Sequence, residues 1–493
     1  MSQTAWRLRT DLPVVTGLFV SSTVLYALLG VRFDDRTVGM HFIDTQLLTH
    51  RLLESLWFYH ASPPGLNLLT GIGLKLFGAQ APIFFSAVFH LLGFLVALCI
   101  HALTLQLSAS RLTAAIVTAV LVFSPSFVLY ENCYFYDFLA MALLALVTFA
   151  LHRYMQTRST AWCATFFALA GVLLLTRSMF HLAWLVLVAA ALVAVAWPHR
   201  RQILLAAAIP LLVVTLWYGK NYYYFGTFGT STWLGLGLSN ISTLLVPQTE
   251  LMPLVQQGKL SKWALVSRYQ DDRILFMTHQ RPATGIPVLD EVRKSNGEYN
   301  LNFRDIPVVD RHYTADAVSV IREFPSLYVM GLIMANRQYF SPTDMNDFFT
   351  PGNREAVRPL QWLLDPLLAG TGPRNAFMEQ PHFGFTGRYT IPVNTSVPLI
   401  VAWFLVFGYG YWHARQGIRS GQEDARSGAV TIGFIVLTAA YLYVVSTAIE
   451  FSENFRYRFV IEPLFFVLAA TAITRSVRAL RASVAKVNHV TPS

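Results

Sequence analysis

The feature that most restricts this chain is a series of apolar runs, each about as long as a bilayer is thick. A helix needs roughly 20 mainly apolar residues to cross the hydrocarbon core. Runs of that kind lie near residues 12–31, 82–106, 112–130, 134–151, 161–176, 179–197, 202–219, 396–413, 429–448 and 457–474. Only 13% of the 493 residues are charged and 54% are hydrophobic. A water-soluble fold of this size would carry about a quarter charged residues. The expected fold class is therefore an all-α polytopic membrane protein of about ten spans. The first run follows Arg7 and Arg9 and shows no small-residue cleavage site, so it reads as a retained span rather than a signal peptide.

Orientation follows from Lys and Arg, which gather in cytoplasmic loops. A cytoplasmic N-terminus places Arg153, Arg158, Arg200, Arg201, Arg415, Arg419 and Arg426 on the cytoplasmic side. The tail with Arg475, Arg478, Arg481 and Lys486 joins them. This bias accounts for much of the formal net charge of +10 without a nucleic-acid partner. The expected location is the plasma (inner) membrane, multi-pass, with both termini cytoplasmic. Three regions result: a transmembrane region 1–219 with an outer loop at 32–81, an outer region 220–395, and a transmembrane region with tail at 396–493. Within the outer parts, 42–58 reads as an amphipathic helix at the interface. The stretch 60–78 opens on Pro63 and Pro64 and reads as a short helix dipping into the outer leaflet. The stretch 325–340 reads as interfacial or re-entrant. Cys99, Cys133 and Cys163 form no disulfide or metal pattern.

Charged side chains at membrane depth are costly, so they become candidates for function. Four groups stand out, all expected at the outer face. Asp34, Asp35 and Asp44 follow the first span; each could be a general base, or a solvated acid, or for Asp44 a helix cap. Glu131, Tyr134, Tyr136 and Asp137 follow a span that Pro125 should distort, with capping as the plain reading of Asp137. Arg177 interrupts two apolar runs and suits a phosphate or a lipid headgroup. Arg456, Arg458 and Glu462 open the last span, where Arg458 and Glu462 stand at the spacing of a helical ion pair. Lys220 extends this basic rim. Acidic outer loops would admit Mg²⁺ or Mn²⁺, but no compact ligand spacing demands a metal.

Several pieces in this order resemble membrane glycosyltransferases of the C-type fold (GT-C), in the family-39-like branch of protein O-mannosyltransferases and lipid A aminoarabinose transferases. They are the acidic loop after the first span, PPGLNLLTGIGLKLFG, SPSFVLYENCYFYD, LLLTR, KNYYYFG and RYRFVIEP. Residues 227–324 match no pattern of that family. The resemblance implies a GT-C-like helical domain with outer-face interfacial helices and a long outer loop. It implies sugar transfer from a polyprenyl-phosphate donor to a glycan, lipid or protein acceptor at the outer face. It further implies Asp34 or Asp35 as base, with Asp44 as competitor, and Asp137 at donor or acceptor. Arg177, Lys220, Arg456 and Arg458 would hold the phosphate. The competing readings are a transporter or flippase of a lipid-linked or anionic substrate, and a polysaccharide polymerase or ligase. No internal repeat supports the transporter.

Overall fold

The computed structural model describes residues 3–37, 39, 41–266, 281–368, 377–379, 390–392, 395–420 and 422–490. The chain is a polytopic helical membrane protein. In order, the first helices are α1 (Gln3–Leu28), α2 (Thr45–His50), α3 (Leu52–Trp57), α4 (Gly65–Phe77), α5 (Ala81–Ser108), α6 (Arg111–Val122) and α7 (Pro125–Glu131). Then come α8 (Tyr136–Thr157), α9 (Thr160–Leu174), α10 (Leu182–Val195) and α11 (Arg200–Phe225). A mostly helical lobe follows, with α12 (Leu234–Ile241), α13 (Gln248–Gln256), α14 (Pro287–Asp290), α15 (Ile306–Glu323), α16 (Pro325–Tyr339) and α17 (Pro351–Leu368). Two short antiparallel strands, β1 (Phe377–Glu379) and β2 (Thr390–Pro392), precede α18 (Val397–Arg419), α19 (Glu423–Ile449) and α20 (Asn454–Val490).

Among the described residues, seven helical stretches are long and apolar enough to span a bilayer, or nine if two bent pairs count as spans. One bent pair is α6 and α7, which turn by 59°. Pro125 stands at the start of α7, where its missing N–H is tolerated but the approaching helix must end. The other is α15 and α16, turning by 109° at Pro325. The expected interfacial helix over 42–58 is instead two short helices broken at Arg51. The stretch 60–78 does form a 13-residue helix after the two prolines, as expected. The region 267–280 and most of 369–394 fall outside the described residues.

α8 is the centre of the bundle: 78% of its apolar window is buried, and it packs on α5, α9, α19 and α20. α1, α11 and α18 have windows only 22% buried and turn most of their surface outward. Large apolar side chains such as Leu28, Leu205, Ile209 and Leu405 stand more than half exposed there. In water that surface would be unfavourable; in lipid it is the solvent-matched face.

Both ends of the chain lie at one end of the bundle. Arg475 donates to the Leu107 carbonyl (2.9 Å) and Arg478 to that of Ala109 (3.0 Å), while Arg111 donates to Thr10 (2.9 Å). The starts of α9 and α11 meet at this terminal end too, where Gln202 donates to Thr160 (3.0 Å). α9 and α10 are short, 15 and 14 residues. At about 1.5 Å per residue they rise only about 22 Å, whereas the 26-residue α11 rises about 39 Å. The tip of the α9–α10 hairpin therefore stops well below the far end of α11. The lobe 234–368 packs at that far end, and the recess beneath it holds the candidate site.

Candidate functional site

The recess is a cavity of about 750 Å³. Its charged lining comes from Arg177, at the hairpin tip, from Asp347 before α17, and from Glu450, Glu453 and Arg456, where α19 passes into α20. His41, Tyr136, Trp233, Phe348 and Tyr457 contribute aromatic wall.

Asp137 organises the cations. It lies in the first turn of α8 and is fully buried. Arg456 donates to its Oδ2 through Nε (2.9 Å), with Nη2 also at 2.8 Å. Arg177 Nη2 lies 3.1 Å from Oδ1. Arg177 stacks over the Tyr136 ring at 4.0 Å and faces the Tyr457 ring at 5.0 Å. Arg456 also pairs with Glu453 and donates to the Tyr136 hydroxyl (3.1 Å). Asp137 itself does not line the cavity; it stands behind the two guanidinium groups and holds them toward it. Planar guanidinium forks fixed this way present donors suited to a phosphate.

The hairpin tip is placed by the double-proline turn. Gly65 donates its N–H to the Leu175 carbonyl (2.7 Å). A Cβ there would lie 2.7 Å from Thr176 Oγ1 and 2.8 Å from the Leu175 oxygen, so only glycine allows this approach. The loop carrying the acidic residues is held from two sides. Asp34 forms an isolated bridge with Cys133, its N–H going to the Asn132 carbonyl (2.8 Å). Farther on, the turn around 293–299 grips it. Glu298 accepts from the Gly39 N–H (2.9 Å), Lys294 donates to the Gly39 carbonyl (2.7 Å), and Ser295 donates to Asp44 (2.7 Å). Burial raises the Glu298 pKa, but the Gly39 N–H and the Lys294 ammonium outweigh it, so the carboxyl titrates below its ordinary value.

The sequence candidates thus separate into distinct places. Arg177, Arg456 and Asp137 come together as one cluster. Arg458 does not join them: two residues on a helix are about 200° apart, so it faces away from Arg456. It is fully buried, none of its guanidinium nitrogens finds a hydrogen-bond partner among the described residues, and no ion pair within 4 Å joins it to Glu462. Glu462 instead accepts from Thr343 (3.2 Å). Lys220 is also diverted, donating to the carbonyls of Trp57 (2.7 Å) and Tyr59 (3.3 Å) and packing on the Trp217 ring at 3.9 Å. It ties α11 to the loop before α4. Tyr134 is buried, shares a hydrogen bond with Thr70 (3.0 Å) and stacks on Phe85. Glu131 faces a second, separate cavity.

The three candidate bases differ. Asp44 caps α2 through the Gln46 N–H (2.8 Å) and takes both donors of Ser295, so its carboxylate is fully occupied. Asp34 is held by a two-pronged pair with Arg36, both distances 2.7 Å; Arg36 in turn donates to the Phe348 carbonyl at the cavity wall (3.3 Å). Asp35 is half-buried and makes no hydrogen bond or ion pair with the described residues. Neither Asp34 nor Asp35 lines the cavity directly.

Sequence reading missed His41. Its Nδ1 meets Ser62 Oγ (2.9 Å) and its Nε2 the Tyr136 hydroxyl (3.3 Å), linking the acidic loop to Arg456 through Tyr136. A lone histidine in a loop carries no pattern that would have marked it. Among the described residues no group of three or more His, Cys, Asp or Glu could hold a metal ion. Of the three lining carboxylates, Glu453 is engaged by Arg456, Glu450 by the Tyr457 hydroxyl (2.5 Å) and the exposed Asp347 by Arg354 (3.3 Å). The cavity therefore does not fit Mg²⁺ or Mn²⁺.

No family model and no curated protein matches this sequence. Among solved structures, it is similar to ArnT from Cupriavidus metallidurans bound to undecaprenyl phosphate, with 18% identity over 91% of this chain and 78% of that one, at a TM-score of 0.35. The apo form of the same protein gives 17% identity over 88% and 77%, at 0.30. Similarity this distant transfers neither residue roles nor an activity.

Proposed function

We propose that this chain is an integral membrane glycosyltransferase that moves a sugar from a polyprenyl-phosphate donor to an acceptor at the outer face of the membrane. The observation that carries the reading is the pair of buried guanidinium groups, Arg177 and Arg456, aimed into a recessed cavity by a carboxylate behind them. A phosphate tethered to a lipid tail reaches such a recess from the bilayer; a freely soluble anion gains nothing from that depth. The site end then faces outward and both termini face the cytoplasm, in keeping with the Lys and Arg distribution.

In the reaction, the acceptor oxygen bonds to the anomeric carbon as the bond from that carbon to the phosphate oxygen breaks. The electron pair leaves with the lipid phosphate, and Arg177 and Arg456 stabilise the charge that develops there. The acceptor proton passes to a carboxylate of the first loop. Asp34 is the proposed base; it lies outside the cavity lining, held by Arg36, which also donates to the Phe348 carbonyl at the cavity wall, so the acceptor would approach it from the loop side. The test is transfer from a polyprenyl-phosphate sugar in detergent. Asp34→Asn should lower turnover by about 10²–10⁴-fold while donor binding persists. Asp44→Asn should act chiefly by loosening the loop. Near-normal turnover in both Asp34→Asn and Asp35→Asn would overturn the carboxylate mechanism.

A further inference from the structure

The second cavity, about 230 Å³, lies between the end of α1, the start of α5 and α7. None of its lining residues lines the larger one. One of them is Glu131, only 3% exposed, whose Oε1 has no hydrogen-bond partner among the described residues. The fold makes room for this carboxyl group: a Cβ on Gly93 of α5 would lie 2.1 Å from Oε1. A buried carboxylate without a donor is costly. Here the chain gives up a side chain to seat one: Oε1 is sealed against Gly93, while the residue forms part of the cavity lining. Around it stand Thr23, Ser86 and His90, whose Nδ1 bonds the Ser86 carbonyl at 2.8 Å.

Lipid-facing surface frames the cavity. Val24 and Leu28 on α1 are 51% and 81% exposed, and Ile83 and Leu91 on α5 are 70% and 58% exposed. Arg32 is also in the lining, anchored by Nη1 to the Ala27 and Val31 carbonyls (both 3.0 Å), and is itself exposed. An acid inside, a cation beside it and apolar surface to either side are complementary to one kind of molecule. We propose that this cavity binds the headgroup of a phospholipid bearing a primary ammonium. The ammonium donates to Glu131, the phosphate meets Arg32, and the acyl chains run along α1 and α5. The volume is below the range of about 300–1,000 Å³ typical of small-molecule pockets, which suits a small polar head and not a glycan. The site is independent of the proposed transferase reading, since it shares no residue with that cavity.

The test uses the full-length purified protein, stripped of lipid in detergent and returned to nanodiscs of defined composition. Native mass spectrometry then counts retained lipid. Phosphatidylethanolamine should be retained at least tenfold over phosphatidylcholine, whose ammonium is trimethylated and has no N–H, and over phosphatidylglycerol, which has no cation. Retention by the wild type should fall with each methyl added along the series from ethanolamine to choline. Glu131→Gln should abolish the preference among headgroups; Arg32→Gln should weaken retention of all phospholipids and keep the preference. Equal retention of the three lipids by the wild type would overturn the proposal, as would an unchanged preference in Glu131→Gln. The methylation series needs no variant, so a poorly folding substitution does not remove the test.

Discussion

Replacing Asp137 by Asn probes the cluster at its least forgiving point. The carboxylate is fully buried and serves two guanidinium groups that are 5% and 2% exposed. Asparagine keeps the shape and loses the charge; its amide oxygen can face one arginine, and its NH₂ must then face the other. Arg456 retains Glu453 and the Tyr136 hydroxyl. Among the described residues Arg177 retains only the faces of the Tyr136 and Tyr457 rings, so Arg177 is the cation left stranded. Breaking a buried pair from one side costs about 3–5 kcal/mol. With an unfolding entropy of about 2 cal/mol/K per residue, the 493-residue chain has about 1 kcal/mol/K. The expected loss is therefore about 3–5 °C in apparent Tm, read by intrinsic tryptophan fluorescence at one fixed scan rate. Two further outcomes separate this account from general damage. Asp137→Asn/Arg177→Met should recover more than half the loss, because the stranded charge is gone. A polyprenyl phosphate should raise the Tm of Asp137→Asn more than that of the wild type, because its anion replaces the missing one. An Asp137→Asn protein with unchanged Tm, or a double variant no more stable than the single one, would refute the reasoning.

Arg456→Lys should reduce donor affinity at least tenfold by losing the fork geometry, whereas Arg458→Met, on the opposite face of α20, should leave donor affinity unchanged; titration with a polyprenyl phosphate checks both. Gln422→Cys and Gln257→Cys stand at exposed positions toward opposite ends of the structure, in a chain whose three native cysteines are buried. An impermeant maleimide should label them from opposite sides of the membrane, Gln257→Cys from outside. Glu298 titrates below its ordinary value, so its hold on Gly39 contributes stability above the unfolded carboxyl range and loses it as the pH falls through the folded value. Hydrogen exchange at residues 39–44 should rise at that acid end, and Glu298→Gln should raise it already at neutral pH, at a cost of about 1 kcal/mol for this part-exposed group.

Most spans were legible because lipid demands long apolar runs, and the bend at Pro125 because proline stops a helix; the expected spans at 161–176 and 179–197 fall short, forming helices of only 15 and 14 residues. Asp137, Arg177 and Arg456 were legible as charges out of place, although not as one cluster. Their pairing joins residues that sequence spacing does not connect. Arg458 and Lys220 carried the same signal and point elsewhere: helix phase decides for Arg458, and two nearby carbonyls satisfy Lys220. The break at Arg51 was hidden, because apolar spacing over 42–58 continues across it. The grip of Lys294 and Glu298 on Gly39 spans about 255 residues and leaves no local trace.

The bond between Arg456 and Asp137 closes a loop of 319 residues. Synthesis runs from the N-terminus, so α8 and the α9–α10 hairpin enter the membrane with Asp137 and Arg177 facing only each other. Nearly the whole chain must leave the ribosome before the second arginine arrives with α20. A product truncated before α20 therefore leaves Asp137, in the most buried helix, without one of its two cations. The last helix acts as the completion signal of the molecule: until it docks, the cavity has one wall missing and its cations cannot act as a pair.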